Sequence, residues 1–128
     1  MESNFLVIDS SVIIAAYDTK DTLHERALKI IGRSADKIFY LHPYVIQEVV
    51  TVFSYRFGSA SAIAFIASLG RSDNVFILSP FVQEEMDFFV KLNKKISFTD
   101  ATLIKIATEK KIPVLTFDKQ IISILKKL

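Results

Sequence analysis

Phe5-Leu6-Val7-Ile8-Asp9-Ser10-Ser11 is the stretch from which the fold is read. Four apolar residues in succession, two of them β-branched, suit a strand buried on both faces, the pattern of a central strand in a parallel sheet. A half-exposed strand would instead alternate apolar and polar residues. The acid that follows at once should therefore lie at the strand's carboxyl end. Ser10 and Ser11 can cap a short helix over 12–17.

Further along, similar runs recur at Ile38-Phe39-Tyr40-Leu41, at Val75-Phe76-Ile77-Leu78 and over 113–116. The intervals between them are helical. Asp21 or Thr22 can cap a helix to Arg33 with Leu23, Ala27, Leu28, Ile30 and Ile31 as its apolar stripe. Pro43 suits the first turn of a helix over 43–57, which Gly58-Ser59 breaks, and a further helix over 60–69 should end at Gly70. Pro80 opens a helix to Leu92, with Phe81, Val82, Met86, Phe89 and Val90 expected inward. Thr99 is the expected cap of a helix over 100–110 striped by Ala101, Leu103, Ile104, Ile106 and Ala107, and a last helix covers 119–125. Strands alternating with helices of this length predict an α/β fold, three layers deep, around a central parallel sheet of about four to five strands. The whole of 1–128 is expected to form one domain.

Composition excludes several classes. There is no cysteine, hence no disulfide framework, thiolate zinc site or cysteine nucleophile. The start, Met1-Glu2-Ser3-Asn4, is polar and acidic, unlike a signal peptide, and no stretch approaches the roughly 20 apolar residues of a membrane helix. A soluble, cytoplasmic protein is expected. The net charge of +2 is unevenly placed: residues 1–90 hold seven Lys/Arg against eleven Asp/Glu, and residues 91–128 hold nine lysines against three acids. A basic C-terminal third can face a polyanion, or can be a solvated surface.

Four acids stand apart from the rest. Asp9 ends the first strand, and Asp118 follows the last one beyond Thr116-Phe117. Ligands of open α/β sheets bind at the carboxyl ends of the strands. Glu48 lies in a very apolar helix, and Asp100 lies in the first turn of its own. Each has a local explanation, as a cap, a turn residue or a solvated helix acid. Together they place several negative charges at one edge, where they need either a proton or a cation. An all-oxygen donor set suits Mg²⁺ or Mn²⁺, ions that support phosphodiester hydrolysis by activating water and offsetting charge on phosphate oxygens. His24 and His42 adjoin none of the four and are read as surface or packing residues.

The segments that carry these acids resemble those of the PIN-domain family. The 5–14 segment looks like the family's opening strand and first acid. Val45-Ile46-Gln47-Glu48-Val49 is similar to the helix with the second, and Val114-Leu115-Thr116-Phe117-Asp118 resembles the turn with the fourth. Ile96-Ser97-Phe98-Thr99-Asp100-Ala101, which looks like the third-acid motif, is the most specific. The resemblance spans nearly the whole chain and is closest to the toxin members called VapC. It implies a parallel sheet flanked by helices and a Mg²⁺- or Mn²⁺-dependent endoribonuclease, with Asp9, Glu48, Asp100 and Asp118 as metal-binding and catalytic acids. It also implies that Ser11 and Thr116 orient an acid or a metal water, and that the protein is a homodimer blocked by a cognate antitoxin. Many members continue past the fourth acid into a helix and a further edge strand; here Lys126-Lys127-Leu128 follows one short helix, and the edge strand is left open.

Lys94, Lys95 and Lys119 are near Asp100 and Asp118 in sequence and are candidates for RNA phosphate contacts. The apolar segment 45–69, with Phe53, Tyr55, Phe57, Ile63, Phe65 and Ile66 on more than one helical face, is read as an interface. Two other readings compete with the nuclease: an idle PIN-like module that binds RNA or protein, and a receiver-like phosphatase fold. The receiver reading wants paired acids at the first strand, and Ile8-Asp9-Ser10 offers one.

Overall fold

The computed structural model describes residues 4–128, so the expectation for residues 1–3 lies outside it. Among the described residues four strands and seven helices alternate as β1 (Phe5–Ile8), α1 (Ser10–Tyr17), α2 (His24–Arg33), β2 (Ile38–Leu41), α3 (Pro43–Phe57), α4 (Ser59–Arg71), β3 (Val75–Ile77), α5 (Val82–Leu92), α6 (Phe98–Lys110), β4 (Val114–Leu115) and α7 (Lys119–Lys127). The sheet is wholly parallel, in the order β3-β2-β1-β4. β1 is central, with Val7 opposite Tyr40 on one side and Val114 on the other. Leu6, Val7 and Ile8 are buried in succession, so both faces of β1 are covered. Helices α1 to α4 pack among themselves, and α5 to α7 form a second set, in which α6 also meets β1 and β4. This is the expected three-layer architecture. No fifth strand occurs among the described residues.

The strand order places the chemistry. The chain runs outward from β1 to β2 to β3 and then crosses back to lay β4 on the other side of β1. The direction of winding reverses between β1 and β4, which opens a crevice at their carboxyl ends. Asp9 leaves β1 there, and Thr116-Phe117-Asp118 leaves β4 beside it.

Several helices depart from the sequence expectation. Ser10 and Ser11 do not cap α1 from outside: Asp9 holds the cap position without a side-chain cap bond, and both serines lie in the first turn. Helix α2 starts at His24, after an Asx turn in which the Leu23 amide donates to Asp21. Its predicted stripe is partly wrong, because Leu28 is exposed. Ser97, not Thr99, caps α6, its hydroxyl accepting from the Asp100 amide at 3.1 Å. Gly70 lies within α4, which runs on to Arg71.

The largest departure is α5. It begins at Val82, not Pro80, and Phe81, Val82, Met86 and Val90 all face solvent. Two stripes compete on this helix. Val82, Met86 and Val90 form one; Glu85, Phe88, Phe89 and Leu92 form the other, and the second faces inward. The inward choice buries a carboxylate, which needs partners. Glu85 finds two: the Tyr44 hydroxyl donates to it at 2.7 Å, and His42 Nε2 stands 2.6 Å away.

His42 is buried at the end of β2 and caps α3, its Nδ1 accepting from the Tyr44 amide at 3.0 Å. That acceptor role leaves the proton on Nε2, which donates to Glu85. Burial holds the imidazole below its usual pKa, against the opposing pull of Glu85. His42 is thus a packing residue, as expected, but one that ties α3 to α5. His42→Ala removes both the cap and the partner of a buried carboxylate. It should destabilise the fold by roughly 2–4 kcal/mol, read as a lower urea midpoint.

Candidate active site

Asp9 is the centre of the cluster. The residue is only 4% exposed, and the partners of its carboxylate are hydroxyls. Ser11 donates to it at 2.8 Å, Thr116 at 2.7 Å, and Ser10 more weakly at 3.4 Å. The two strong donors are themselves fixed from behind. The Phe117 amide donates to Ser11 and the Asp118 amide donates to Thr116. The turn after β4 is in this way hooked onto the acid that follows β1, across the crevice where the winding reverses.

The other acids approach from separate elements. Glu48 projects from the exposed side of α3 and accepts a short hydrogen bond from Ser10. Asp100 sits in the first turn of α6, half-buried. Asp118 caps α7, accepting from the Gln120 amide at 2.8 Å through Oδ1. Cap and cluster member are therefore not exclusive roles, since one carboxylate oxygen is left over.

Asp100 feels the charges of the other three acids. The Asp100 carboxyl is raised to about 6, first by burial, then by the nearby charge of Asp9, with Asp118 and Glu48 contributing less; a hydrogen bond with Ser97 opposes them. Among the described residues no lysine, arginine or histidine pairs with any of the four. Nor do any three acids or histidines among them already form a cage for an ion. The donors are carboxylates and hydroxyls without nitrogen or sulfur, the chemistry of a hard cation that keeps much of its water. These residues fit Mg²⁺ or Mn²⁺ by donor type and by uncompensated charge, not by a preformed cage.

Of the residues picked out from sequence, Ser11 and Thr116 both touch Asp9. The lysines lie further out. Lys94, Lys95 and Lys119 are exposed, and the Lys95 carbonyl accepts from the Gln120 side chain, which ties their loop to the start of α7. Ser10, which bridges Asp9 and Glu48, was not anticipated; a serine one residue past a strand-end acid was read only as a cap.

A family model for the PIN domain matches residues 6–127. The chain belongs to the PIN-domain family. Among solved structures, this PIN domain is similar to VapC20 of Mycobacterium tuberculosis, described as a sarcin–ricin loop cleaving toxin, with a TM-score of 0.78 and 24% identity over 92% of this chain and 93% of that one. It is also similar to PAE2754 from Pyrobaculum aerophilum, with a TM-score of 0.61 and 19% identity over 98% of this chain and 87% of the other. No curated protein matches the sequence. At these identities the two structures establish the fold.

The raised Asp100 carboxyl has a consequence for stability. Its folded value exceeds the ordinary carboxylate value, so ionised Asp100 costs stability above about pH 6, and the cost is relieved as pH falls towards 4. In metal-free protein Asp100→Asn should therefore raise the melting temperature at pH 7.5. The gain should shrink through pH 6 and vanish near pH 4, as thermal denaturation in EDTA across that range would show.

Proposed function

We propose that this protein is a Mg²⁺- or Mn²⁺-dependent endoribonuclease that hydrolyses RNA phosphodiester bonds, and that it is the toxin of a toxin–antitoxin pair. The observation that carries the reading is the buried Asp9 carboxylate, which shares a crevice with three further acids and has no cation among the described residues. An idle cluster of this kind would only destabilise the fold. The PIN-domain match and the likeness to VapC20 support the same conclusion.

On this reading Asp9, Glu48, Asp100 and Asp118 hold the divalent ion. When bound, the ion supplies Lewis-acid activation of water and of the scissile phosphate. Ser11 and Thr116 hold the Asp9 carboxylate in one orientation, and Ser10 relates Glu48 to it. Lys94, Lys95 and Lys119 steer and hold the RNA backbone at the rim. The exposed apolar residues of the α3–α4 pair, Tyr55, Ile63 and Ile66, serve a homodimer contact, and those of α5 receive an antitoxin. RNA as substrate implies work in the cytoplasm. Among the described residues no helix is long and apolar enough to cross a membrane.

One observation favours the alternative of an idle module that binds RNA or protein: the acids as arranged form no ready cage. Incubation of purified protein with total cellular RNA separates the two readings. Cleavage should require Mg²⁺ or Mn²⁺, stop in EDTA, and fall by roughly 10²–10³-fold or more in Asp9→Asn and Asp100→Asn. Intact RNA with either metal, or equal cutting by the variants, would leave the idle module as the better description.

A further inference from the structure

Beside the acids lies an open pocket of about 450 Å³, well within the roughly 300–1,000 Å³ usual for small-ligand sites. One wall is a single stripe of α3: Tyr44, Gln47, Glu48, Thr51 and Val52, spaced three and four residues apart. Phe98 and Thr99, at the start of α6 next to Asp100, form the other wall. The pocket is thus continuous with the acid cluster, with Glu48 belonging to both.

Its chemistry is that of a flat, neutral, polar-edged ligand. Two aromatic rings, Tyr44 and Phe98, lie with centroids 5.8 Å apart. Both are braced from behind. The Tyr44 ring rests on His42 at 4.2 Å and its hydroxyl is tied to Glu85, while Phe98 leans on Phe89 at 5.7 Å. Gln47, Thr51 and Thr99 offer an amide and two hydroxyls that make no hydrogen bond with any described residue. No lysine or arginine lines the pocket, and Glu48 does. A phosphate would be repelled there, whereas a nucleobase could stack on an aromatic ring and present its edge to the amide and hydroxyls.

We propose that this pocket receives one unstacked nucleobase of single-stranded RNA, the base next to the phosphate held at the acids, and that it sets the base preference of the protein. Phe98 is the stacking surface and Gln47 reads the base edge. This rests on the nuclease reading for its position relative to the cut, but not for binding itself.

The test measures binding, not cutting. Fluorescent RNA decamers, abasic except for one central A, C, G or U, are titrated in EDTA and followed by anisotropy against a fully abasic decamer. One base should improve affinity about five- to hundredfold over the abasic strand. Phe98→Leu should remove most of that gain. Gln47→Ala, at an exposed position that leaves folding intact, should keep a gain but even it out among the four bases. Equal affinity for abasic and base-bearing strands overturns the pocket, as does a preference that survives Gln47→Ala unchanged. Base-dependent binding by a protein that cuts no RNA would uphold the pocket and reject the nuclease; cutting without base-dependent binding would do the reverse.

Discussion

A buried carboxylate at the junction of two parallel strands is the constraint on which the rest of the molecule depends. Asp9, on a residue only 4% exposed, needs hydrogen-bond partners for its buried oxygens. The chain supplies hydroxyls, not a cation. Ser11 comes from the turn of helix that the acid itself caps, and Thr116 comes from the far end of the sequence. Because each hydroxyl also accepts a backbone amide from the turn after β4, the two strand ends are fixed to one another. The same bonds satisfy Asp9 without bringing a cation to it.

Glu48 is controlled differently. It is exposed, so packing does not hold it; the helix that carries it must be held instead. Helix α3 buries Val45, Val49 and Phe53 beneath the sheet, and His42 caps its first turn. His42 is in turn held by Glu85 of α5, a helix that turns Phe88, Phe89 and Leu92 inward and leaves Val82, Met86 and Val90 exposed. The polar anchor at Glu85 thus adds to the apolar packing of α5 on α6. Removing Glu85 would leave His42 without its buried partner and loosen the start of α3. The roll of α3 about its axis, and with it the direction of Glu48, depends on a group that is distant from the acids.

How much of this was legible in the sequence varies by element. The parallel sheet could be read because β1 is apolar without alternation, and a central parallel strand has no exposed face. The acids at strand ends could be read because the run of apolar residues stops at them. The order β3-β2-β1-β4 could not, since nothing local records which side of β1 a later strand joins. Helix α5 was misread because its apolar residues outnumber its inward positions; the decisive residue was Glu85, which looks like a surface acid until its partners from β2 and α3 arrive. Helix α6 starts two residues before the expected position, so Ser97 rather than Thr99 is its cap. Yet Ser97 and Asp100 stand in the capping-box spacing, a signal that was present. Ser10 escaped notice because its partner Glu48 is 38 residues away.

The pairing of acid and pocket on one helix follows from helical geometry. Residues three and four apart share a face, so a helix aimed to bring Glu48 to Asp9 also brings Tyr44 and Thr51 to the same crevice, and Gln47, three and four residues from these two, lies beside them. No separate element is needed to place a base beside a phosphate. The arrangement couples the two functions, because a shift in the α3 axis large enough to change what the pocket admits would also move Glu48 off Ser10. Side chains at Gln47 and Thr51 can vary without that penalty, since neither is bonded to another described residue. Specificity can therefore change by substitution on the exposed stripe while the hydroxyl-held carboxylate at the strand junction stays as it is.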